Sequence, residues 1–262
     1  MRLLSELQTY IQKQYSAYGY VVLKQFFNSN ERLPIYTELM DFQQNWLKDN
    51  FEVYLAGAVN SAYLTSTQHL NEASRETLFN LIASNKIMQL VQSLIPKSPC
   101  FLNTQLFFDP LNPDQKNYWH RDPQYHISLV EQQAALTGPN VIHFRLALKN
   151  ERGIELVPKS HIKWDSTEEL EVRLSQNGKQ HHQPLSTGKV IALDAGDLLI
   201  FSANMIHRGL YGLDRLALDI LFCDPAPEVL KFIQLDCLPN TEQLAQLEDA
   251  SAFENSLRFI HN

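Results

Sequence analysis

YWHRDPQY, residues 118–125, is the stretch from which the fold and chemistry of this chain are inferred. At its centre His120 and Asp122 stand two positions apart, and in an extended segment residues i and i+2 project to the same side. One imidazole and one carboxylate at this spacing can hold one cation. A third candidate ligand, His207, follows the apolar run 197–202. Two histidines and one aspartate on a β scaffold form the facial ligand set that suits Fe(II) and leaves positions open for a co-substrate and oxygen.

The composition describes a globular protein with a generous core. Of its 262 residues 44% are hydrophobic and 19% are charged, which is enough for one large domain. The net charge of −7, without clustered Lys or Arg, argues against nucleic-acid binding. No run is long and apolar enough to span a bilayer, and the amino-terminal residues turn polar too early for a signal peptide. Cys100, Cys223 and Cys237 are an odd number without metal or redox spacing. We therefore predict a cytoplasmic protein that does not bind membranes.

The texture of the sequence changes near residue 97. Residues 1–96 read as mostly helical, with apolar stripes such as that of Ile35, Leu39, Phe42 and Trp46. Residues 97–224 carry short β-rich runs between turn signals, which favours a sandwich or barrel. The runs are 101–108, 125–130, 140–148, 154–157, 189–194, 197–202, 206–211 and 215–222.

Two further segments complete the predicted organisation. Residues 163–187 interrupt the β rhythm as a long insertion, either a mobile lid or a surface loop. Residues 225–262 carry a polar helical pattern and are predicted to pack outside the β core. No linker divides the chain, so we predict a single domain over residues 1–262.

Four motifs, in this order, resemble the phytanoyl-CoA dioxygenase family. They are YGYVVLKQFF at 18–27, WHRD at 119–122, GIELVPKSH at 153–161, and GDLLIF at 196–201 followed by His207 and Arg215. The resemblance implies a double-stranded β-helix, also called a jelly roll and cupin-like, mainly β with flanking helices. It also implies Fe(II) and 2-oxoglutarate as cofactors, with His120, Asp122 and His207 as the metal ligands and catalytic centre.

The cofactor and substrate residues follow from the same comparison and from side-chain chemistry. The distal carboxylate of 2-oxoglutarate suits an arginine with planar paired donors, and Arg215 is favoured over Arg208, which neighbours His207 and should face away. Gln105 resembles the family position that lines the co-substrate pocket.

Three further residues are candidates for substrate contact. Trp119 and Tyr125 flank the metal pair, where they either line the substrate cavity or simply pack. Arg145 shares an alternating face with His143 and needs an anionic partner if that face is the interior.

The chain departs from the family pattern at two positions. Lys159 stands where family members usually have Gly, and Gly209 stands where they often have Ser. The second departure concerns how 2-oxoglutarate is anchored, not the metal.

The combined prediction is an Fe(II)- and 2-oxoglutarate-dependent dioxygenase that hydroxylates an unactivated carbon of a small-molecule substrate and decarboxylates 2-oxoglutarate to succinate. Two alternatives stay open: the same cofactor chemistry used for desaturation or epimerisation, and a non-catalytic jelly-roll binding protein. A zinc hydrolase would need a general base beside the metal-bound water, and no spacing nominates one. The composition points to no substrate class and no oligomeric state.

Overall fold

The computed structural model describes residues 2–260, in which nine strands form two antiparallel sheets. The larger sheet has the order β1-β7-β4-β9-β3-β2, and the smaller has the order β6-β5-β8. The strands are β1 (Tyr20–Leu23), β2 (Asn60–Ala62), β3 (Cys100–Phe108), β4 (Val141–Ala147), β5 (Glu151–Leu156), β6 (Lys189–Leu193), β7 (Leu198–Ser202), β8 (His207–Gly209) and β9 (Leu216–Cys223).

Helices flank these sheets and follow the sequence signals for helix starts. Asn28, Asn71 and Ser84 cap three of them by accepting hydrogen bonds from first-turn backbone N–H groups. The helices are α1 (Arg2–Tyr18), α2 (Ser29–Leu55), α3 (Glu72–Ile82), α4 (Asn85–Leu94), α5 (Leu129–Ala135), α6 (Thr167–Arg173), α7 (Pro227–Leu230), α8 (Thr241–Leu244) and α9 (Ser251–Ile260). None of the helices within residues 2–260 has the length and apolar character needed to cross a membrane.

The larger sheet is buried on both faces, and residues alternate between them except at a register shift in β3 between Phe101 and Asn103. In β9 every residue is buried: Leu218 and Ile220 join the core beneath the helices, whereas Asp219 and Leu221 face a cavity on the other side. The outer face packs against buried side chains of α2, α3, α4 and α9, including Phe42, Phe79 and Phe253. The helical layer therefore covers one face of the sheet and leaves the other for the site.

The smaller sheet packs against the inner face of β7. Leu199 and Phe201 from the larger sheet share a buried cluster with Ile154, Leu156 and Ile191 from the smaller one. His120 adds a single antiparallel bridge to the outer side of β8, opposite His207. Two facing antiparallel sheets with helices on the outer face are the predicted jelly roll, which is confirmed.

One local expectation differs from the structure. Residues 125–130 were expected as a strand, but they hold the end of a short 3-10 helix (Asp122–Tyr125) and the start of α5. Pro123 cannot donate to a strand ladder, and Ser128 caps α5 with Glu131 returning a bond to its backbone, so the local chemistry favours helix. In the amino-terminal region, β1 and β2 join the larger sheet as its two outer strands.

The insertion 163–187 is fastened to the rest of the protein by buried charges. Asp165 accepts hydrogen bonds from Arg121 and from Arg173 of α6, and both guanidinium groups are buried. Arg121 lies between the two ligands of the His-X-Asp pair and also donates to the backbone carbonyls of Ser160 and Asn204. The segment 163–187 therefore stabilises the stretch that carries His120 and Asp122.

Candidate metal and co-substrate site

His120, Asp122 and His207 meet at one end of the cavity, although 87 positions separate the two histidines in the chain. Their candidate ligand atoms all lie within 4.8 Å of one another. The Nε2 atoms of both histidines lie 3.5 Å from Oδ1 of Asp122. The structure thus brings together the three residues that the sequence nominated.

Hydrogen bonds to the backbone fix the orientation of both imidazoles. Nδ1 of His120 lies 3.2 Å from the carbonyl oxygen of Tyr118, and Nδ1 of His207 lies 3.0 Å from that of Met205. A carbonyl only accepts, so Nδ1 of each ring carries a proton, and Nε2 is the atom that faces Asp122 and the candidate metal position. Burial, together with the neighbouring His120, lowers the pKa of His207 to about 3. A neutral imidazole with a free Nε2 is the form that binds a metal.

Asp122 divides its two carboxylate oxygens between the candidate metal position and a third histidine. Oδ1 faces the two ligand imidazoles, whereas Oδ2 lies 2.7 Å from Nε2 of His143. Nδ1 of His143 contacts Asp219 at 3.0 Å, so both ring nitrogens meet carboxylate oxygens and both must donate. Burial alone would lower the pKa of His143, but Asp122 and Asp219 raise it to about 9. His143, which stacks on Phe201, therefore holds Asp122 with one oxygen turned to the metal position.

The chain of buried charges continues from His143 to the far end of the cavity. Arg145 donates to Asp219 at 2.8 Å and to both oxygens of Glu151 at 3.0 Å, and all three residues are almost fully buried. Arg145 does not need an anionic group of the substrate as its partner, because two protein carboxylates already pair with its guanidinium. Its side chain nevertheless lines the cavity. The sequence left open whether Arg145 faces the interior, and in the structure it does.

Arg215 is the cation with free donors in this part of the cavity. Its Nε donates to Glu151 at 3.3 Å, and among the described residues its two terminal nitrogens have no hydrogen-bond partner. The guanidinium is buried, lines the cavity and lies 5.2 Å from the ring of Phe107. Burial and the like charge of Arg145 lower the pKa of Arg215. Two free, parallel N–H groups match a carboxylate.

Gly209 accounts for one departure from the family pattern. A Cβ atom at this position would lie 2.7 Å from Nη2 of Arg215, so the absent side chain makes room for the guanidinium. Arg208 turns the other way: it pairs with Glu155 at 2.6 Å and lies 4.5 Å from the ring of Trp119. Of the two arginines, only Arg215 reaches the cavity.

Gln105 and Tyr125 line the cavity and Trp119 does not. Gln105 faces inward from β3, opposite Asp219, and Tyr125 has its ring centre 5.7 Å from that of His120. Trp119 is fully buried in a separate cluster with Val157 and Leu185, and its indole N–H donates to the carbonyl of Gln183. The placement of Trp119 among substrate-contacting residues is therefore corrected: it packs behind the site, because it adjoins His120 and projects to the opposite side.

Sequence reasoning missed His143, Glu151 and Asp219 as members of the site. A usable signal existed for one of them, since Asp219 is a carboxylate inside the apolar run LALDILFC and such a residue is rarely buried unpaired. Tyr118, whose ring centre lies 5.3 Å from that of His120, and Tyr211, whose ring centre lies 6.0 Å from the Arg215 guanidinium, also line the cavity.

The family model for phytanoyl-CoA dioxygenase matches residues 15–210. The chain therefore belongs to the phytanoyl-CoA dioxygenase family and is a non-haem iron, 2-oxoglutarate-dependent enzyme. This confirms the predicted family, enzyme class and cofactors, and it removes the non-catalytic binding protein from consideration. A comparison with curated protein sequences found no match.

Solved structures with the same fold include several enzymes of this chemistry. The epimerase SnoN in complex with Fe3+, α-ketoglutarate and nogalamycin RO is 15% identical with a TM-score of 0.55, over 84% of this chain and 85% of that one. EctD from S. alaskensis with 2-oxoglutarate and 5-hydroxyectoine is 14% identical with a TM-score of 0.56, over 80% and 74%. HygX from Streptomyces hygroscopicus, with nickel and 2-oxoglutarate bound, is 14% identical with a TM-score of 0.56, over 82% and 85%. At these identities the likeness supports the fold.

The residues present fit the implied metal and co-substrate. Two imidazole nitrogens and one carboxylate oxygen form a donor set suited to Fe(II). The free guanidinium of Arg215 provides the counter-charge that a dicarboxylic acid chelating at the metal would need at its other end.

Proposed function

We propose that this enzyme hydroxylates an unactivated carbon of a small-molecule substrate while 2-oxoglutarate is converted to succinate and carbon dioxide. One observation carries the proposal. The three ligand atoms and the free guanidinium nitrogens of Arg215 open onto the same cavity of about 800 Å³. That arrangement suits a metal, a dicarboxylate and a further molecule bound together.

Each site residue has a defined task in this proposal. Iron and 2-oxoglutarate, when bound, supply the oxidising chemistry, whereas the protein orients the reactants and excludes water. His120, Asp122 and His207 hold the metal from one side and leave the other side to the cavity. Arg215 binds the distal carboxylate through its two terminal nitrogens, and Gln105 offers its amide to the same co-substrate.

Residues around the metal position complete the pocket. Tyr125 lies at the rim beside His120, where its ring contacts the entering substrate. Arg145 sets the charge balance at the co-substrate end by holding Glu151, so that Glu151 does not fully neutralise Arg215. We further propose that residues 1–262 act as one domain, because the site draws on β3, β4, β8 and β9 and the helices cover the same sheet. A cytoplasmic location agrees with three buried free cysteines and stays a prediction.

The first experiment is an anaerobic titration of metal-free protein with Fe(II) and then 2-oxoglutarate. The expected result is the visible charge-transfer band of a metal-chelated keto acid, weakened at least tenfold in apparent affinity by Arg215→Ala. Arg152→Met is the control, since Arg152 is exposed on β5 and does not line the cavity. A band equally affected by both variants, or absent in the wild type, would contradict the co-substrate assignment.

The second experiment tests turnover. Asp122→Ala should abolish succinate formation, and full activity in that variant would overturn the metal assignment. Product analysis by mass spectrometry then separates the reaction types: hydroxylation adds one oxygen atom, desaturation removes two hydrogen atoms and epimerisation leaves the mass unchanged.

A further inference from the structure

The inner face of the larger sheet changes character along its central strands. The strand pairing defines three levels, each made of facing positions on β3, β9 and β4. The first level contains Gln105, Asp219 and Arg145 and lies at the co-substrate end. All three side chains are polar or charged, and the two charged ones are paired within the protein.

The second level lies beside the metal position. It contains Asn103, Leu221 and His143, and His143 contacts the metal-site carboxylate of Asp122. Leu221 is the first apolar side chain in this progression along β9, two residues beyond Asp219. The polarity of the wall therefore changes at the metal position.

The third level, on the side away from Arg215, is apolar. Val141 faces Cys223, which in turn faces Cys100, and around them the cavity wall is built from aliphatic and aromatic side chains. We call this end of the cavity the apolar chamber, lined by Leu102, Ile127, Val141, Leu221, Val229 and Phe232.

The charged residues at this end lie at the rim and do not form a cation cluster. Glu131, Glu228 and Lys231 line the cavity there, and all three are exposed to solvent. Two carboxylates and one ammonium do not suit a polyanion such as a nucleotide or a coenzyme A thioester, which needs grouped Arg or Lys donors.

The size of the cavity supports a second occupant beside 2-oxoglutarate. Its volume of about 800 Å³ lies within the range of roughly 300–1,000 Å³ that holds a whole drug-sized ligand. A five-carbon diacid placed between the metal position and Arg215 fills only the polar end. The rest of the volume borders the apolar wall.

We propose that the apolar chamber binds the substrate and that the substrate is a bulky, uncharged and largely hydrocarbon molecule, presenting one carbon towards His120 and His207. This inference rests on the proposed function and names its substrate class. Recognition then comes mainly from the removal of apolar surface from water.

The test uses Nile red, a neutral polycyclic dye whose fluorescence increases in apolar surroundings, with protein loaded anaerobically with Fe(II) and 2-oxoglutarate. Ala135→Trp fills the chamber from the cavity side of α5 and should weaken dye binding at least tenfold. Val130→Trp adds the same ring on the same helix at a side chain that is 78% exposed and should change binding less than twofold. Phe232→Asp, on the wall formed after α7, is a second chamber variant expected to weaken binding about tenfold.

The outcomes separate this inference from the proposed function. The charge-transfer band of the iron–2-oxoglutarate complex should persist in the chamber variants, which shows that they are folded and that the polar end is intact. Wild-type protein that forms the band but does not bind the dye, or binds it equally in all variants, would overturn the chamber assignment alone. Tighter binding of palmitoyl-coenzyme A than of the dye, lost in Lys231→Ala, would also overturn it. Absence of the band in wild-type protein would instead refute the proposed function.

Discussion

Replacing Arg145 by Met should lower the free energy of unfolding by about 3–5 kcal/mol, the range expected when one partner of a buried ion pair is removed. Arg145 is 1% exposed and makes three hydrogen bonds to the carboxylates of Glu151 and Asp219. Methionine fills much of the same volume, so the loss reports mainly the charges that stay behind.

The size of the stability loss depends on the partners that Glu151 and Asp219 keep in the variant. Hydrogen bonds to charged groups contribute about 1.5–3 kcal/mol each, which gives about 4.5–9 kcal/mol for three. Glu151 keeps Arg215 at 3.3 Å and Asp219 keeps His143 at 3.0 Å, so part of the loss is compensated. Arg145 is also the largest favourable influence that lowers the pKa of Asp219. The destabilisation should therefore shrink as the pH falls and Asp219 takes up a proton.

The assay is urea unfolding of the metal-free protein, with Arg152→Met as the control. Arg152 is exposed on β5, and its replacement should change stability by less than about 0.5 kcal/mol. In the same Arg145 variant, Glu151 is left to pair with Arg215 alone, so the apparent affinity for 2-oxoglutarate should also fall. A stability loss below about 1 kcal/mol, with unchanged 2-oxoglutarate affinity, would refute the network as described.

Three further predictions concern other parts of the molecule. His143→Leu should reduce Fe(II) affinity about 10–100-fold in an anaerobic titration, as expected when the outer partner of a ligand is lost, because Asp122 is no longer held by one oxygen; unchanged affinity would exclude this role. Lys159→Gly should stabilise the protein by up to about 1 kcal/mol in thermal unfolding, since Lys159 has φ +71° and left-handed backbone costs a non-glycine residue about 1–2 kcal/mol, partly offset by glycine entropy; a destabilised variant would contradict it. Asp197→Ala should cost about 2–4 kcal/mol at neutral pH because this buried carboxylate accepts bonds from Lys24 and two backbone N–H groups. Burial opposes ionisation, but these bonds lower the pKa of Asp197 below its ordinary value of 3.8, so its contribution is complete above that pH and is lost as the pH falls further; a variant equally destabilised at acid and neutral pH would argue against it.

The sequence was informative wherever a short-range rule applied. The i, i+2 spacing placed His120 and Asp122 on one side, and the structure brings His207 to the same point. The alternation in β4 put His143 and Arg145 on one face, which is the face that lines the cavity. The same rule, applied to Trp119, would have turned it away from the site.

Short-range sequence rules could not predict contacts that depend on how distant strands pair. Arg145 faces Asp219 because β4 and β9 are neighbours with that particular pairing, and 74 positions separate them in the chain. No local pattern specifies this register. The segment 125–130 failed for another reason, since a short apolar run fits strand or helix and the cap formed by Ser128 and Glu131 decided it.

The bridge between His120 and His207 has a consequence for the choice of metal. Each residue donates its backbone N–H to the carbonyl of the other at 2.9 Å, which fixes their Cα atoms about 5.5 Å apart. The spacing between these two of the three ligands is thus set by the main chain. An ion of another radius must be accommodated by Asp122, the ligand outside this bridge. The ranking of divalent ions by this enzyme should accordingly respond to changes around Asp122 more than to changes beside either histidine.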